Sequence, residues 1–146
     1  MTKKEAIKIF EEKKVRAVWD DETEEWYFSV IDIISVLTDS SNPTDYFKKM
    51  RKRDEQLALF VGTNCPQVTM QTETGKKRKT LAADTQAVFR IIQSIPSPKA
   101  EPFKLWMAQV AKERLDEMQD PELTIDRAMM EYKALGYSDN WINQRL

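Results

Sequence analysis

Five basic side chains within six residues have the chemistry that binds nucleic acid. They are Lys48, Lys49, Arg51, Lys52 and Arg53, called the helix cluster below. Tyr46, Phe47 and Met50 are spaced to share one side of a helix, which leaves the basic residues to cover the remainder. Lysines there can attract phosphates, and the two arginines can donate bidentate hydrogen bonds to guanine. The alternative is a solvated face that serves only solubility.

A second basic group follows Gly75, a residue type typical of tight turns. It comprises Lys76, Lys77, Arg78 and Lys79 and is called the hairpin cluster. A β-ribbon with basic side chains can enter a groove of DNA or clamp its backbone. The alternative is an edge strand whose lysines prevent aggregation.

The formal net charge of −1 hides an uneven distribution of charge. Residues 15–43 contain seven acidic side chains and one arginine, whereas residues 44–53 contain five bases and one acid. Residues 73–80 contain four bases and one acid. Because a partner responds to the local field, the two basic clusters predict nucleic-acid binding despite the acidic total.

The composition argues against catalysis. The chain has no histidine, which removes the commonest general base, the commonest metal ligand and every Ser–His or Cys–His nucleophile. Asp20, Asp21, Glu24 and Glu25 form adjacent carboxylate pairs, but at a hairpin tip they would be solvated, and raising a carboxylate pKa requires burial. A nuclease is disfavoured because no compact acidic metal cluster accompanies them. We therefore expect no enzyme, no cofactor and no metal site.

Cys65 is the single cysteine of the chain. It has no partner for an internal disulfide and no second sulfur for a zinc site, which suits a reducing compartment. The N-terminal segment is charged and lacks the apolar core of a signal peptide, and no apolar run reaches the roughly 18 residues of a membrane span. We expect a soluble cytoplasmic protein without a membrane partner.

The first elements are predicted to form an aromatic β-hairpin. Its strands cover residues 15–19 and 26–29, and the polar residues 20–25 connect them. Trp19 and Trp26 face each other across this hairpin, and we interpret them as packing residues.

Two consecutive helices are predicted to position the helix cluster. Ser29 and Asp32 have capping-box spacing ahead of residues 30–37, which are apolar nearly all round and therefore buried. Asn42 as N-cap and Pro43 at the first helical position begin the next helix. A buried helix, a short break and an exposed basic helix loosely form a helix–turn–helix arrangement, whose second helix enters the major groove or lies along the phosphates.

A second hairpin is predicted to carry the hairpin cluster. An irregular region around residues 62–66 precedes the alternating Val68, Met70 and Thr72, and residues 77–81 form the return strand after the turn.

The C-terminal half is predicted to be mainly helical. Asp84 and Thr85 cap a helix whose apolar stripe is Val88, Ile91, Ile92 and Ile95. Pro102 begins another helix, with an inward side of Phe103, Trp106, Met107, Val110, Ala111 and Met118. The predicted fold class is α+β, with two short β-hairpins packed with several α-helices.

A final helical segment is predicted after Asp120, the N-cap, and Pro121, the first helical residue. Its inward residues are Ile125, Ala128, Met129, Tyr132 and Leu135. Gly136 ends this helix, and Ser138 caps a last turn that carries Trp141 and Ile142.

The order of these elements resembles a known family. The hairpin VWDDETEEWYFSV runs into the helix IDIISVL and then SNPTDYF, and DTQAVFRIIQSIPSPKAEPFKLW follows later. This resembles the Bro-N domain of baculovirus Bro proteins and of many phage and prophage antirepressors. The matching residues are Trp19, Phe28, Ser29, Asp32, Ile33, Leu37, Asn42 and Pro43, then Phe89, Arg90, Ile92, Ser94, Pro98, Ala100, Phe103 and Trp106.

The resemblance also has departures and an extension. Thr38 and Asp39 stand where many members carry Gly-Tyr, and Ala87 stands where glycine is common, so the connection before the basic helix differs from the family pattern. The segment from Pro121 to Leu146 is similar to the extension seen in prophage antirepressor-like proteins and in DNA-damage-inducible protein D.

The resemblance implies DNA binding in phage or damage-response regulation, with no catalysis. We expect a non-enzymatic, double-stranded-DNA-binding module of an antirepressor-like or damage-inducible transcriptional regulator. It would contact DNA through a basic helix at residues 43–53 and a basic hairpin at residues 75–80. The alternative is a protein-interaction module that binds a repressor or recombination protein, through the acidic hairpin and the last helices.

The expected domain organisation has three parts. Thr2 with Glu5 forms a capping box for an N-terminal helix over residues 1–14. A Bro-N-like DNA-binding domain covers residues 15–118, and a helical extension at 119–146 would lead to any C-terminal region of a longer protein.

Overall fold

The computed structural model describes residues 15–146, and the helix expected over residues 1–14 lies outside them. The chain divides into two compact units, of which one runs to Trp106 and the other covers Met107–Leu146. Within the described residues, no helix combines the length and apolar character that a membrane crossing requires.

Both predicted hairpins are present, and they join into one curled antiparallel sheet of four strands. The strands are β1 (Ala17–Asp20), β2 (Glu25–Ser29), β3 (Gln67–Gln71) and β4 (Lys77–Ala83), in the order β1-β2-β4-β3. The hairpins meet where Phe28 pairs with Ala83 and Ser29 pairs with Ala82. This pairing joins the base of the basic hairpin to the strand that leads into the first helix.

Seven α-helices lie within residues 15–146, so the predicted α+β class is confirmed. They are α1 (Val30–Leu37), α2 (Pro43–Arg53), α3 (Glu55–Asn64), α4 (Thr85–Ser94), α5 (Glu101–Gln119), α6 (Glu122–Ala134) and α7 (Asp139–Arg145). A short 3₁₀ helix at Pro98–Ala100 precedes α5.

Helices α1 and α4 supply about half of the buried apolar residues of the first unit. The Ser29 hydroxyl caps α1 by accepting the Asp32 backbone N–H at 3.3 Å, and Asp84 caps α4 by accepting the Ala87 N–H at 2.8 Å. Both caps were predicted. The buried apolar residues of these two helices, with Ile95 beyond α4, are Val30, Ile33, Ile34, Val36, Leu37, Ala87, Val88, Ile91, Ile92 and Ile95.

Helix α3 was not predicted from the sequence: residues 55–61 had no assignment, and the region around Gly62 was expected to be irregular. Asp54 ends α2 and also begins α3, since its carboxylate accepts the Leu57 N–H at 3.0 Å. Only Leu57 and Val61 of α3 are buried, and Leu59 points to solvent. With two inward residues the helix has no clear apolar stripe, so its pattern was not recognised.

The inward side predicted for α5 is only partly confirmed. Phe103 is buried and Trp106 is half-buried, with its ring centroid 6.0 Å from that of Phe89. Val110 and Met118 are exposed, which corrects the prediction, because helical spacing aligns side chains on one face without determining whether that face is covered.

The second unit contains the C-terminal part of α5 with α6 and α7. Ile125 and Leu135 are exposed, contrary to the prediction, whereas Ile142 is buried. Gly136 ends α6 at φ 92°, and the Tyr137 N–H donates to the Tyr132 carbonyl at 3.1 Å, as in a Schellman motif. Within this unit Glu117 is buried and its carboxylate contacts the Arg127 guanidinium at 2.6 Å.

Candidate nucleic-acid interface

Helix α2 is fixed at its start and along its inner side. The Asn42 side chain accepts the Asp45 N–H at 3.1 Å, and Pro43 occupies the first helical position, as the sequence predicted. Phe47 and Met50 are buried where α2 packs against α1 and α3. The apolar side therefore anchors the helix, and its opposite side is available to a partner.

Four members of the helix cluster are exposed on α2, namely Lys48, Lys49, Lys52 and Arg53. Lys49 forms an i,i+4 ion pair with Asp45 at 3.0 Å, which neutralises part of its charge. The fifth member, Arg51, is half-buried. The predicted cationic surface is thus present on the helix, with one arginine held apart from the rest.

Arg51 lies against a buried aromatic ring. Its guanidinium carbon lies 4.7 Å from the centroid of the Phe47 ring, one helical turn earlier. The Nε atom of Arg51 is buried and has no hydrogen-bond partner. This packing was not predicted from the sequence, although the spacing of four residues allows it.

The connection between α1 and α2 is an ordered turn. Thr38 is buried, and its hydroxyl donates to the Ile34 carbonyl at 2.7 Å and accepts the Ser40 N–H at 3.3 Å. Asp39 contacts Lys99 at 2.6 Å. Thr38 therefore closes α1 through its side chain at the position where the resembled family carries glycine. The buried α1 and the partly exposed α2 pack together and are connected by residues 38–42.

The hairpin cluster lies at the tip of β3 and β4. Gly75 adopts φ 83°, and the Thr72 N–H donates to the Lys76 carbonyl at 2.7 Å, which closes the turn. All four basic side chains of the cluster are exposed. Lys77 pairs with Gln71 and Lys79 pairs with Thr69, so these two lysines share one face of the ribbon, and Arg78 lies on the other.

Arg16 contacts this hairpin at the end of β3, next to the turn, and this contact was not predicted from the sequence. Its Nη1 donates to the Gln71 carbonyl at 3.0 Å, and its Nε donates to the Asp32 carboxylate of α1 at 2.7 Å. The hydrogen bond with Asp32 raises the pKa of Arg16 above its ordinary value. The one signal available was that Arg16 is the single basic residue among seven acids in residues 15–43.

The first hairpin presents an acidic turn. The Asp20 carboxylate accepts the Glu22 N–H at 2.9 Å, and Glu24 adopts φ 54°. Loss of solvation and the nearby Asp84 carboxylate raise the pKa of Glu25. This turn would repel phosphates, in contrast to the two basic clusters.

Trp19 and Trp26 face each other as predicted, with ring centroids 5.5 Å apart in an edge-to-face geometry. The two rings pack against each other, but they are 44% and 50% exposed and are not part of the core. The Trp19 indole N–H donates to the Asp21 carboxylate at 2.8 Å. The pair forms an aromatic surface beside the acidic turn.

Cys65 is half-buried at the end of α3, and burial, with a smaller effect of Asp84, raises the pKa of its thiol to about 11. Among the described residues, no group of three or more potential metal-ligating side chains is arranged to hold a metal ion.

The fold and these surfaces define a small α+β domain with a cationic helix, a cationic hairpin and an acidic aromatic hairpin. The family model described as "BRO family, N-terminal domain" matches residues 14–113, which include the sheet, α1 to α4 and part of α5. The chain therefore belongs to this family. No match to the chain was found among curated proteins or among solved structures.

Proposed function

We propose that this chain is a non-enzymatic, DNA-binding module of a prophage-derived antirepressor-like or damage-inducible transcriptional regulator. It binds duplex DNA through the helix cluster and the hairpin cluster. The observation that carries the proposal is the exposure of Lys48, Lys52 and Arg53 on a helix whose other side is buried. Membership of the BRO family supports it. A DNA partner and a single cysteine both suit a cytoplasmic location.

The electrostatics of the two clusters support contact with the backbone. Exposed lysines and arginines neutralise phosphates and release counterions, and this release supplies most sequence-independent affinity. The hairpin adds cations on both faces of its ribbon, which suits a ribbon inserted in a groove or laid along a strand.

The hairpin offers a direct test. Replacing Lys76 and Lys79 by Glu changes attraction to repulsion within a Debye length of about 8 Å at physiological salt. Duplex affinity should fall at least tenfold, or about 1.4 kcal/mol. Thermal stability should barely change, because exposed charges contribute little to folding.

A matched control reverses two lysine charges elsewhere. Lys112 and Lys133 are exposed lysines of the second unit, and replacing both by Glu should leave duplex affinity within about twofold if binding is local to the clusters. Equal losses in the two double variants would mean that only total charge matters, and the proposed interface would be wrong.

A second candidate function is recognition of a repressor or recombination protein. The observation that favours it is the exposed Trp19 and Trp26 pair beside the acidic turn, because tryptophan is enriched at the energetic centres of protein interfaces. Replacing both by Ala should then weaken binding to such a purified protein at least tenfold and leave duplex affinity unchanged. If the parent binds neither kind of purified protein, this candidate is excluded.

A further inference from the structure

Arg51 differs from the other members of the helix cluster in its burial and in its contacts. Its guanidinium packs on the Phe47 ring, and Phe47 itself is 0% exposed. The Nε atom is buried without an acceptor. Within residues 15–146 the structure gives Arg51 no hydrogen bond and no ion pair, whereas Lys49 is paired with Asp45.

The direction of the guanidinium follows from these contacts. Nε is the only buried side-chain nitrogen or oxygen without a partner in the described residues. Because the two Nη nitrogens also lack partners but are not buried, they reach the surface. The Nε side of the guanidinium faces the protein. Its two Nη atoms are at the surface, and their N–H groups have no acceptor in the described residues.

This arrangement favours a directional contact over a purely electrostatic one. The stacking on Phe47 restricts the side chain in the free protein, so less conformational entropy is lost when a ligand binds. A phosphate can be reached by flexible lysines from many directions, whereas a base edge requires donors at a fixed position. Exposed cations such as Lys48, Lys52 and Arg53 suit the first role.

We propose that Arg51 is the base-reading residue of α2 and donates from its two Nη atoms to O6 and N7 of one guanine in the major groove. Lys48, Lys52 and Arg53 bind phosphates. Guanine is the base whose major-groove edge offers two acceptors side by side, which matches the end of a guanidinium. This inference rests on the proposed DNA-binding function and names the feature of DNA that it recognises.

The test is selection of binding sites from randomised duplexes by the full chain and by two variants of equal charge, Arg51→Lys and Arg114→Lys. Arg114 is an exposed arginine of the second unit and belongs to neither basic cluster. The parent should enrich guanine at one position. Arg51→Lys should lower the preference at that position at least tenfold, because an ammonium cannot donate in the same bidentate geometry. Arg114→Lys should keep it, and the salt dependence of binding should be the same in all three.

A chemical probe tests the same contact if Arg51→Lys folds poorly. The parent is titrated with its selected duplex and with the same duplex carrying 7-deazaguanine, which lacks the N7 acceptor. We expect at least a tenfold loss of affinity at the selected guanine and no loss at a guanine outside the site.

The outcomes separate this inference from the proposed function. A parent that binds duplex DNA without any guanine preference overturns the role of Arg51 and leaves DNA binding in place. A preference that survives Arg51→Lys, or one that is lost equally in Arg114→Lys, also overturns it. A parent that binds no duplex at all overturns both.

Discussion

The Arg16 guanidinium and the Asp32 carboxylate meet in two parallel hydrogen bonds, from Nε at 2.7 Å and from Nη2 at 3.1 Å. Asp32 also accepts the backbone N–H of Arg16 at 3.0 Å. Through the remaining Nη1 donor to Gln71, this pair connects the residue before β1, the first turn of α1 and the end of β3. It thereby links α1 to the basic hairpin beside its turn.

Asp32→Ala should destabilise the domain by about 2 kcal/mol, since it removes charge-assisted hydrogen bonds that are only partly exposed. Urea unfolding measures the loss as a lower midpoint with an unchanged slope. The control is Asp39→Ala, because the Asp39 side chain is 80% exposed in its ion pair with Lys99, so its loss should cost less than about 0.5 kcal/mol. Equal midpoints for the two variants would show that the Arg16 contacts are not structural.

Replacing Lys48, Lys49 and Lys52 by Ala should reduce the salt dependence of duplex binding. Each lost phosphate contact lowers the slope of log affinity against log salt by about 0.9, so the change should be roughly 2–3. Lys49 should contribute the least, because Asp45 already pairs with it at 3.0 Å. The affinity loss should be similar for all duplex sequences. An unchanged slope in a folded variant would place the interface elsewhere.

Two aromatic residues of α5 should differ in their contribution to stability. Phe103 is buried, so Phe103→Ala should cost about 3–5 kcal/mol. Trp106 is half-buried against Phe89, and Trp106→Ala should cost about 1.5–3 kcal/mol. Thermal unfolding of the two variants shows which substitution costs more stability. If Trp106→Ala melts within a few degrees of the parent, Trp106 becomes a candidate binding residue.

The Cys65 thiol should be a poor nucleophile in the folded protein. With its pKa raised to about 11 by burial, the reactive thiolate should be about 100-fold rarer than for a thiol of ordinary pKa, a factor of ten for each unit. Alkylation by iodoacetamide should be slow at pH 8 and should accelerate as the pH approaches 11. The same chain in denaturant is the control. Similar rates in both states would contradict the burial.

The sequence predicted the elements whose signals lie within a few residues. The residue types at the helix starts predicted four N-caps, Ser29, Asn42, Asp84 and Ser138. In the structure each of these side chains accepts the backbone N–H of the third residue after it. The nine basic side chains of the two clusters were likewise predicted to lie on one helix and one hairpin.

Features that depend on distant residues were not predicted. Arg16 contacts Asp32 and Gln71, 16 and 55 residues away, and no local pattern encodes those contacts. The pairing of Ser29 with Ala82, which joins the two hairpins, was not predicted for the same reason.

Helical periodicity also failed to predict which residues are buried in the last helices. Ile125 and Leu135 share the spacing of half-buried residues in α6, yet both are exposed. Helical spacing aligns side chains on a face, and whether that face is buried depends on what packs against it.

The most direct test of the central claim is the affinity of the full chain for duplex DNA measured across a salt series. If most of the exposed cations of the two clusters contact phosphates, the plot of log affinity against log salt concentration should have a slope of about −4 or steeper, at 0.9 for each contacted phosphate. Replacing Lys48, Lys52, Lys76 and Lys79 by Glu should abolish this binding, with the fold intact by circular dichroism. Absence of duplex binding by the parent at about 50 mM salt, where such contacts are strongest, would contradict the account.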